Sequence, residues 1–446
     1  MSEFRVSPVT QPLRGGIRVP ADKSISHRAA ILGALATGTT RISNFLQSET
    51  TQATVNCLRA LGVEIEQPDA TTLIAHGRGL HSLREPSDVL HCSGSGTTMR
   101  LLAGVCAGQD FLSILDGTPA LKRRPMARIA EPLRAMGATV LGRDDGRLPP
   151  LGIRGGNLHG IDYTLPVASA QVKSAILLAG LFADSPTIVR EPALSRDHTE
   201  RMLRAFGAKI EIRDWRLEIG LISNLQSPIS NLHVPNDFSS AAFFIVAALL
   251  VPGSEIWIEG VGVSVTRTGL LDALRKMGAR IELENERDES GEPVADVVVR
   301  GGSDLRATEI SGEIVPRMID EFPIFAIAAT QARGETVVRD AQELRVKESD
   351  RIGTLATELR KMGAQIQERA DGFVIAGPTK LRGARVDAHH DHRLAMSLAV
   401  AGLLARGETV VAGWECVADS FPGFATLLPQ VAEPALSLPK GRRSQA

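Results

Sequence analysis

The chain has few cysteines and few aromatic residues, and it carries almost no net charge. Its four cysteines show no Cys-x-x-Cys spacing, which argues against a disulfide framework and indicates a reducing compartment. Lys and Arg number 50 against 51 Asp and Glu, so no global field attracts nucleic acid or an anionic membrane. Aromatic residues make up 4% of the chain, too few for the stacking platforms that bind single-stranded nucleic acid.

The sequence also lacks membrane segments and the common nucleotide-binding motifs. The longest apolar runs, such as residues 243–251, fall short of a bilayer span, and the N-terminus has no apolar signal-peptide core. No Walker A motif, Gly-x-Ser-x-Gly motif or Rossmann fingerprint occurs, which disfavours P-loop phosphoryl transfer and redox cofactors. We therefore expect a soluble, cytoplasmic protein that uses no cofactor and no metal.

What the chain does contain is an internal repeat. A helix-end motif of the form LRALGVEI recurs five times, each time followed by a predicted strand, and its glycines are Gly62, Gly137, Gly207, Gly278 and Gly363. Each glycine lies where a helix end needs a left-handed cap. A second motif, an apolar helix followed by a turn and a strand, occurs six times, as in the two ARGETVV segments at 332–338 and 405–411. The sequence therefore predicts six copies of one unit.

Each unit reads as strand, apolar helix, strand, amphipathic helix and strand. The first helix is small and apolar almost all round, which predicts burial under sheet, whereas the second is polar on one face and should lie outside. Six such units make an α/β protein with mixed or parallel strands. Because 446 residues exceed one hydrophobic core, three units per domain is the simplest division, with residues 220–235 as a linker.

Chemically active residues gather at the starts of the apolar helices. In the first three units, hydroxyls or glycines of the first turn stand beside a cation, and the sequences are Lys23-Ser24-x-x-x-Arg28, Ser93-Gly-Ser-Gly96-Thr97-Thr98-Met-Arg100 and Ser169-Ala170-Gln171-x-Lys173. This pattern suits a phosphate or carboxylate at a helix N-terminus. The last three units carry acids instead, at Asp237, Asp320-Glu321 and Asp391. A capped helix with a solvated cation explains one such site, but three equivalent sites favour an anion-binding surface that faces carboxylates.

Three further stretches leave alternatives open. LKRRPM (121–126) is either a solvated turn or a clamp for a carboxylate. RVKESDR (345–351) is either surface pairing of neighbouring charges or an acid held between cations. DAHHDHR (387–393) invites a metal interpretation, but its spacing matches no known ligand pattern, so no metal site is predicted.

Taken together, these motifs resemble the 5-enolpyruvylshikimate-3-phosphate (EPSP) synthase family over about residues 18–431. The resemblance rests on DKSISHR, SGTTMR, KRRPM, SAQVKS, SRDHTE, MIDEFP, RVKESDR, DHRLAM and SFP, and three of these motifs are more similar to the glyphosate-tolerant bacterial branch. Members join shikimate 3-phosphate to phosphoenolpyruvate and release phosphate. The resemblance implies α/β architecture with two similar domains, each an inside-out α/β barrel of three βαβαββ repeats.

The resemblance also implies the domain division, the partners and the oligomeric state. The lower domain would comprise residues 1–20 plus 236–446, with a disordered tail from about 434, and the upper domain residues 21–235. The two would close on small-molecule substrates, with glyphosate as an inhibitor, in a monomer that binds neither nucleic acid nor membrane.

By the same resemblance, the residues with implied roles fall into substrate-binding and catalytic sets. Those that would hold shikimate 3-phosphate are Ser24, Arg28, Ser169, Gln171, Arg196 and Lys347, with Ala170 offering only its backbone N–H. Those that would hold phosphoenolpyruvate are Lys23, Gly96, Arg124, Arg351 and Arg393, and Thr97 completes the binding set. Asp320 would accept the proton of the 5-hydroxyl, Glu348 would be the acid near the methylene carbon, and Lys23 is the third expected catalytic residue.

The chain departs from the family pattern at one position, and two rival functions stay open. Asp419-Ser420 precede Phe421-Pro422, where many members carry a phosphate-contacting lysine, so that contact is missing or comes from another cation. The nearest rival is UDP-N-acetylglucosamine enolpyruvyl transferase, which uses a loop cysteine where residues 120–126 contain none. The other rival is a non-catalytic scaffold that binds phosphorylated metabolites.

Overall fold

The computed structural model describes residues 2–213, 215–222, 224–226 and 231–432. The tail predicted from about 434, and part of the predicted linker, lie outside these residues. The helices are α1 (Lys23–Leu35), α2 (Glu49–Ala60), α3 (Gly96–Ala107), α4 (Ala127–Ala135), α5 (Arg143–Gly146), α6 (Ala170–Gly180), α7 (His198–Ala205), α8 (Phe238–Leu250), α9 (Gly269–Lys276), α10 (Ile314–Arg317), α11 (Phe322–Gln331), α12 (Arg351–Lys361), α13 (His392–Leu404) and α14 (Phe424–Ala432).

The strands are short, and short 3₁₀ helices also occur at Leu121–Arg123, Gln342–Val346 and Trp414–Asp419. In chain order the strands are β1 (Glu3–Val6), β2 (Arg14–Ile17), β3 (Thr37–Ser43), β4 (Glu64–Asp69), β5 (Thr72–Arg78), β6 (Leu90–His91), β7 (Leu112–Asp116), β8 (Thr139–Gly142), β9 (Leu148–Arg154), β10 (Asp162–Thr164), β11 (Thr187–Arg190), β12 (Ile210–Arg213), β13 (Arg216–Ile219), β14 (Asn231–His233), β15 (Glu255–Gly262), β16 (Ile281–Glu289), β17 (Glu292–Arg300), β18 (Glu309–Ile310), β19 (Gly334–Val338), β20 (Gln365–Arg369), β21 (Gly372–Gly377), β22 (Arg385–Asp387) and β23 (Thr409–Ala412).

These strands form small sheets with one shared arrangement. The orders are β14-β3-β5-β4, β6-β7-β9-β8, β10-β11-β13-β12, β2-β15-β17-β16, β18-β19-β21-β20 and β22-β23-β1. In the second sheet, for example, β6 runs parallel to β7, and β9 runs antiparallel to both β7 and β8. A strand, a helix, a parallel strand, a second helix and a hairpin make each of five units. The sixth sheet has three strands, because the described residues after β23 form no hairpin and the N-terminal β1 pairs antiparallel with β23 instead. Six repeats are therefore present, and the last lacks its hairpin.

The predicted helix ends are present as well. The five repeated glycines all have φ between 84° and 107°, a conformation in which a residue with a Cβ would be strained, and they are Gly62, Gly137, Gly207, Gly278 and Gly363. Each follows an amphipathic helix and precedes the next strand. The repeat therefore uses glycine to end a helix and turn the chain into the sheet.

The apolar helices are the cores around which the sheets pack. Every residue of α8 except Leu250 is buried, and every residue of α13 except Leu404. Gly104 on α3 lies against the backbone of Ala175 on α6, so closely that a Cβ could not fit between the two helices. Helices inside and sheets outside confirm the predicted inside-out α/β barrels.

The buried residues divide into two cores. One core runs from Ala21 to Val234, and we call this part of the chain the upper half. The other core combines Val6–Val19 with Phe238–Val431, and we call it the lower half. Among the described residues no helix is long and apolar enough to cross a membrane.

The chain crosses between the halves twice, and the two crossing segments bond to each other. The Asp22 amide donates to the Pro235 carbonyl at 2.8 Å, and the Asp237 amide donates to the Pro20 carbonyl at 2.8 Å. Two repeats exchange their first strands at this crossing. The strand β2 directly precedes α1 in the chain but pairs with β15 of the lower half, and β14 directly precedes α8 but pairs with β3 of the upper half. The halves therefore share a double connection next to the starts of α1 and α8.

Candidate active site

The six apolar helices begin around one cavity of about 440 Å³ that is lined by both halves. The common repeat explains this convergence, because each apolar helix starts at the same end of its unit. The sequence-predicted residues that line the cavity are Lys23, Ser24, Thr97, Arg124, Ser169, Ala170, Gln171, Arg196, Asp320, Lys347, Glu348 and Arg393. The other three, Arg28, Gly96 and Arg351, are buried and contact or adjoin residues of this lining.

Arg28 is buried behind the cavity lining of the upper half and connects three of its helices. Its Nη1 donates to the Ser24 carbonyl at 3.0 Å, its Nε to Thr199 Oγ1 at 2.6 Å and its Nη2 to Ser174 Oγ at 2.8 Å. Burial lowers the pKa of Arg28 to about 10, so the guanidinium stays charged at neutral pH. Arg28 therefore joins α1, α6 and α7 and adds positive charge behind Ser24.

A second cluster in the upper half surrounds the start of α3. Gln171 Nε2 donates to Thr97 Oγ1 at 2.9 Å, and Arg100 Nη1 donates to the side-chain oxygen Oε1 of Gln171. Burial, helped by Arg124, lowers the pKa of Arg100 to about 9. A Cβ on Gly96 would lie 3.0 Å from Arg100 Nη1 and 3.1 Å from Arg124 Nη1, so the glycine leaves room for both guanidinium groups. The expected binding set omits Arg100, although its position in SGTTMR, four residues after Gly96, puts it on the same helix face.

Asp320 faces this surface from the lower half and is surrounded by cations. Its carboxylate oxygens lie 2.6 Å from Arg196 Nη2, 3.0 Å from Arg351 Nη1 and 3.4 Å from Arg393 Nη2. Burial by itself would raise the pKa of Asp320, but these cations outweigh it and hold the pKa well below its usual range. In this arrangement Asp320 is ionised.

Glu348 is held in a similar way, which decides between the two interpretations of RVKESDR. Glu348 lies 3.1 Å from Arg124 Nη2 and 2.7 Å from Arg351 Nη2. Burial works to raise its pKa, but Arg124 and Arg351 hold the pKa well below its usual value. Arg351 also binds Asp391 at 2.8 Å, so one buried guanidinium orients three carboxylates. The interpretation as an acid held between cations is confirmed for Glu348, although its second cation is Arg124 of the upper half and not Lys347. Surface pairing describes Arg345 and Asp350 of the same stretch.

Two lysines contribute charge to the cavity without a fixed acidic partner. Among the described residues, neither Lys23 nor Lys347 lies within 4.0 Å of a carboxylate oxygen, although both line the cavity. Burial lowers the pKa of each ammonium group, while Asp320 works in the opposite direction. Both ammonium groups are therefore available to a bound anion.

Among the described residues, three ion pairs join cavity-lining side chains of the upper half to cavity-lining side chains of the lower half. Besides the Arg196–Asp320 and Arg124–Glu348 pairs, Arg128 Nη1 lies 3.0 Å from Glu343 Oε2. The two resemblance-based binding sets placed cations on both sides, which by themselves would repel each other. In the structure, carboxylates of the lower half neutralise cations of the upper half. Neither Arg128 nor Glu343 was expected at the site from the sequence.

Several sequence-based interpretations need correction. Lys173 was placed among the anion-binding cations, but its ammonium group is buried between Glu191 and Glu200, at 2.7 Å from each. Of the three cations of LKRRPM, only Arg124 lines the cavity, while Lys122 pairs with Asp116 elsewhere. The clamp interpretation therefore stays a prediction for Arg124 alone.

Two sequence features remain, the DAHHDHR stretch and Asp419. His389 Nε2 lies 2.8 Å from the buried Glu358, and Asp391 accepts from Arg351, so these side chains serve contacts within the protein. Asp419, at the position of the lysine found in many family members, is half buried beside the cavity. Burial raises its pKa, while nearby Lys23 opposes the rise.

The fold and the cavity together define a class of protein. Helix N-termini, unpaired ammonium groups and paired guanidinium groups bind small dianions such as phosphates and carboxylates. Two partly buried carboxylates on the opposite wall, Asp320 and Glu348, supply acid–base groups. This is the construction of an enzyme that performs proton transfer on small phosphorylated substrates.

Comparison with known proteins identifies the family. Residues 8–428 match the model of the family described as EPSP synthase (3-phosphoshikimate 1-carboxyvinyltransferase). The chain is 53% identical over 429 residues to the 3-phosphoshikimate 1-carboxyvinyltransferase of Desulforamulus reducens, covering 96% of this chain and 99% of that protein. It is 54% identical over 433 residues to the enzyme of the same name from Geobacter sp. strain M21, covering 97% and 100%. The chain belongs to the EPSP synthase family.

Solved structures agree with this assignment. The EPSP synthase from Acinetobacter baumannii superimposes with a TM-score of 0.86 at 44% identity, covering 96% of this chain and 98% of that chain. The enolpyruvyl transferase NikO from Streptomyces tendae, at 19% identity and a TM-score of 0.79, shares the fold over 96% of this chain and 97% of that chain.

Proposed function

We propose that this chain transfers the enolpyruvyl group of phosphoenolpyruvate to the 5-hydroxyl of shikimate 3-phosphate, giving EPSP and phosphate. The observation that carries the proposal is the meeting of Lys23, Arg124 and Arg393 with Asp320 and Glu348 in one cavity, in a chain of this family. The step belongs to the shikimate pathway, which leads to chorismate and the aromatic amino acids.

The proposed reaction is an addition followed by an elimination. The 5-oxygen bonds to C2 of phosphoenolpyruvate as its proton passes to Asp320, and C3 gains a proton from Glu348 to become a methyl group. This gives a tetrahedral intermediate. The C2–O bond to phosphate then breaks while C3 returns its proton to Glu348, and the proton held by Asp320 passes to the departing phosphate. This leaves the enol ether and free phosphate and restores both carboxyl groups. Lys23 lies beside both carboxylates and stabilises the charge that develops on the departing phosphate.

The paired state of the carboxylates suggests how substrates activate them. A carboxylate whose pKa is held very low is a weak base and, at neutral pH, cannot act as an acid. A phosphate or carboxylate group that binds Arg196 and Arg393 neutralises the charges that lower the pKa of Asp320. Anion binding at Arg124 does the same for Glu348. Substrate binding should therefore raise both pKa values. The rise makes Asp320 a stronger base, whereas Glu348 donates a proton only if its burial, once Arg124 is neutralised, also carries its pKa above the usual value of 4.5.

The binding roles follow the positions of the side chains. We assign shikimate 3-phosphate to the wall of α1, α6 and the Arg196 loop, with Lys347 opposite, and phosphoenolpyruvate to the wall formed by the start of α3, Arg124 and Arg393. The chain has Asp419 where many relatives have a lysine, so the phosphate contact falls to Lys23 and Arg124. Glyphosate would compete at the phosphoenolpyruvate position.

We further propose that the two halves act as domains, with residues 1–20 plus 236–446 forming the lower one and 21–235 the upper one. The separate cores and the double connection at residues 20–22 and 235–237 support this division. We propose a monomer, as the family resemblance implies. The proposed enzyme is cytoplasmic.

One assay separates the proposal from its rivals. Purified protein should release phosphate when shikimate 3-phosphate and phosphoenolpyruvate are both present, and not with either alone. Phosphate release with UDP-N-acetylglucosamine instead would support the sister transferase, and binding of shikimate 3-phosphate without release would support a scaffold. All four cysteines lie within the described residues, are buried, and are absent from the cavity lining, which already disfavours the sister enzyme.

A further inference from the structure

Arg267 is a fully buried arginine at the junction of the two halves, in a stretch that carries none of the motifs above. Its side chain is 2% exposed and extends from the turn that precedes α9. Its Nη2 lies 2.7 Å from Asp237 Oδ1, 3.2 Å from Asp22 Oδ2 and 3.1 Å from Ser239 Oγ. A single guanidinium nitrogen thus contacts both of the aspartates that stand at the double connection.

These two aspartates are the N-caps of helices in different halves. Asp22 accepts from the Ile25 amide at 2.9 Å and so caps α1, whose first residue is Lys23. Asp237 accepts from the Ser239 amide at 2.7 Å and so caps α8. Because a cap fixes the position of the first helical turn, a cation that orients both caps also fixes the two helix starts relative to each other.

The network continues to a third helix of the cavity. Ser239, which lies beside the Arg267 guanidinium, donates its hydroxyl to Glu321 Oε1. Glu321 precedes α11 and follows Asp320 directly in sequence. Arg267 therefore contacts Asp22, the residue directly before Lys23. It also contacts Ser239, which in turn bonds to Glu321, the residue directly after Asp320.

The turn that carries Arg267 also holds the loop of Arg196. Ser264 Oγ and Thr266 Oγ1 both donate to Asp197 Oδ1, at 3.1 and 2.8 Å, and Asp197 follows Arg196 in sequence. The turn itself is closed by the Arg267 amide, which donates to the Ser264 carbonyl at 2.9 Å. Residues 264–267 thus contact elements of both halves that carry cavity side chains.

A purely structural role is the alternative, in which Arg267 only neutralises buried acids. Burial would lower its pKa, but Asp22 and Asp237 outweigh burial and raise the pKa, so the guanidinium is permanently charged. That alternative predicts loss of stability without a particular loss of turnover. Charge neutralisation alone would not require these acids to be helix caps. The acids in this network are nevertheless the N-caps of α1, α8 and α11, and Lys23 and Asp320 lie directly beside two of them.

We infer that Arg267 is a positioning residue, whose single guanidinium sets the starts of α1, α8 and α11 so that Lys23 and Asp320 face each other correctly. The inference rests on the proposed function. It acts through Asp22, Asp237 and Ser239 and needs no contact between Arg267 and substrate. A displacement of about 1 Å at reacting groups costs about 100-fold in rate, which sets the expected size of the effect.

The test is Arg267→Lys, which keeps the charge but shortens the side chain, so that the ammonium group ends short of the position from which Nη2 contacts both caps. Turnover should fall about 100-fold, with the KM of each substrate within about threefold. The first-turn amides of α1 and α8 should exchange hydrogen faster than in the parent. Arg300→Lys is the matched control, since Arg300 also binds two acids, Glu255 and Glu282, on the sheet surface, and it should leave turnover unchanged.

The coupling to Asp320 separates positioning from bulk stability. In an Asp320→Asn background, Arg267→Lys should cost less than about tenfold, because the group it positions is gone. Equal fold losses in both backgrounds, or a folded Arg267→Lys variant with at least half of parental turnover, would overturn the inference. If Arg267→Lys does not fold, Ser239→Ala decides, since it removes the hydroxyl that links Arg267 to Glu321 and leaves both aspartate caps in place. Its turnover should fall at least about fivefold in protein that stays folded at the assay temperature, and parental turnover would reject the role. A parent without phosphate release would instead reject the proposed function.

Discussion

Replacing Lys173 by methionine should destabilise the upper half strongly, because this lysine is the counter-ion of two buried acids. Its side chain is 1% exposed, Glu191 is 3% exposed and Glu200 is 1% exposed, with both ion-pair distances at 2.7 Å. Methionine fills a similar volume, so little packing is lost. What remains is a pair of carboxylates without a cation in a region of low dielectric constant.

The expected magnitude follows from this burial. Removing one partner of a buried ion pair costs about 3–5 kcal/mol, a large part of the roughly 5–15 kcal/mol that stabilises a typical domain. The triad is already imperfectly balanced. Burial would lower the pKa of Lys173, but Glu200 and Glu191 together raise it, whereas burial raises the pKa of Glu200 despite the lysine. One ammonium group cannot satisfy two buried carboxylates completely, and Glu200 Oε2 has no hydrogen-bond partner.

The pH dependence gives the prediction its sign. A carboxyl group whose folded pKa lies above its unfolded value of 4.5 stabilises the fold when protonated, and that stability is lost as pH rises through the folded pKa. Loss of the lysine raises the folded pKa of Glu200 further. The deficit of Lys173→Met should therefore be full at pH 8 and shrink as pH falls toward 4.5.

Urea unfolding, followed by far-UV circular dichroism at several pH values, measures this deficit. Hydrogen exchange assigns the deficit to a region, since α6 and α7 should lose protection while α13 keeps it. The triple variant Lys173→Met, Glu191→Gln, Glu200→Gln is the matched control, and it should recover to within about 1 kcal/mol of the parent because no buried charge remains. A single variant that loses less than about 1 kcal/mol, or a triple variant as unstable as the single one, would refute the reasoning.

The remaining predictions concern the proposed reaction. Asp320→Asn should reduce turnover by about 100-fold or more while calorimetric affinity for shikimate 3-phosphate changes little, and activity within a few fold of the parent would reject Asp320 as the base. Glyphosate should inhibit the parent. Gly96→Ala should raise the glyphosate inhibition constant more than the phosphoenolpyruvate KM, because the added methyl group would lie about 3 Å from two guanidinium groups. Equal increases in the two constants would contradict this prediction. Arg128→Glu should enlarge the radius of gyration in solution scattering and Glu343→Arg should restore it in the double variant, whereas an unchanged single variant would deny that this pair holds the halves together.

The repeat and its helix starts could be predicted because they depend on local rules. A glycine at a helix end, an apolar helix of small residues and a strand after it are properties of a short stretch of chain, and six occurrences reinforce one another. The same logic placed Ser24, Thr97 and Gln171 at helix starts on one surface and Asp320 on the surface that faces it. All four residues line one cavity in the structure.

Pairing between charges could not be predicted in the same way. From its spacing, Lys173 resembles the cations of the other helix starts, yet its side chain turns away from the cavity to Glu191 and Glu200 on the next elements of the upper half. Helical periodicity fixes which face of a helix a residue occupies, but not which acid another loop brings to that face.

The sequence by itself determined the units, their number and the starts of the buried helices, because these follow from patterns within each unit. Through the family resemblance it also indicated twelve of the side chains that line the cavity. Only the tertiary structure decided how the two halves meet. Arg124 and Glu348, Arg196 and Asp320, and Arg267 with Asp22 and Asp237 are far apart along the chain. Their contacts depend on the packing of whole units and on the double connection between the halves, and that long-range arrangement sets the charge and the acid–base state of the site.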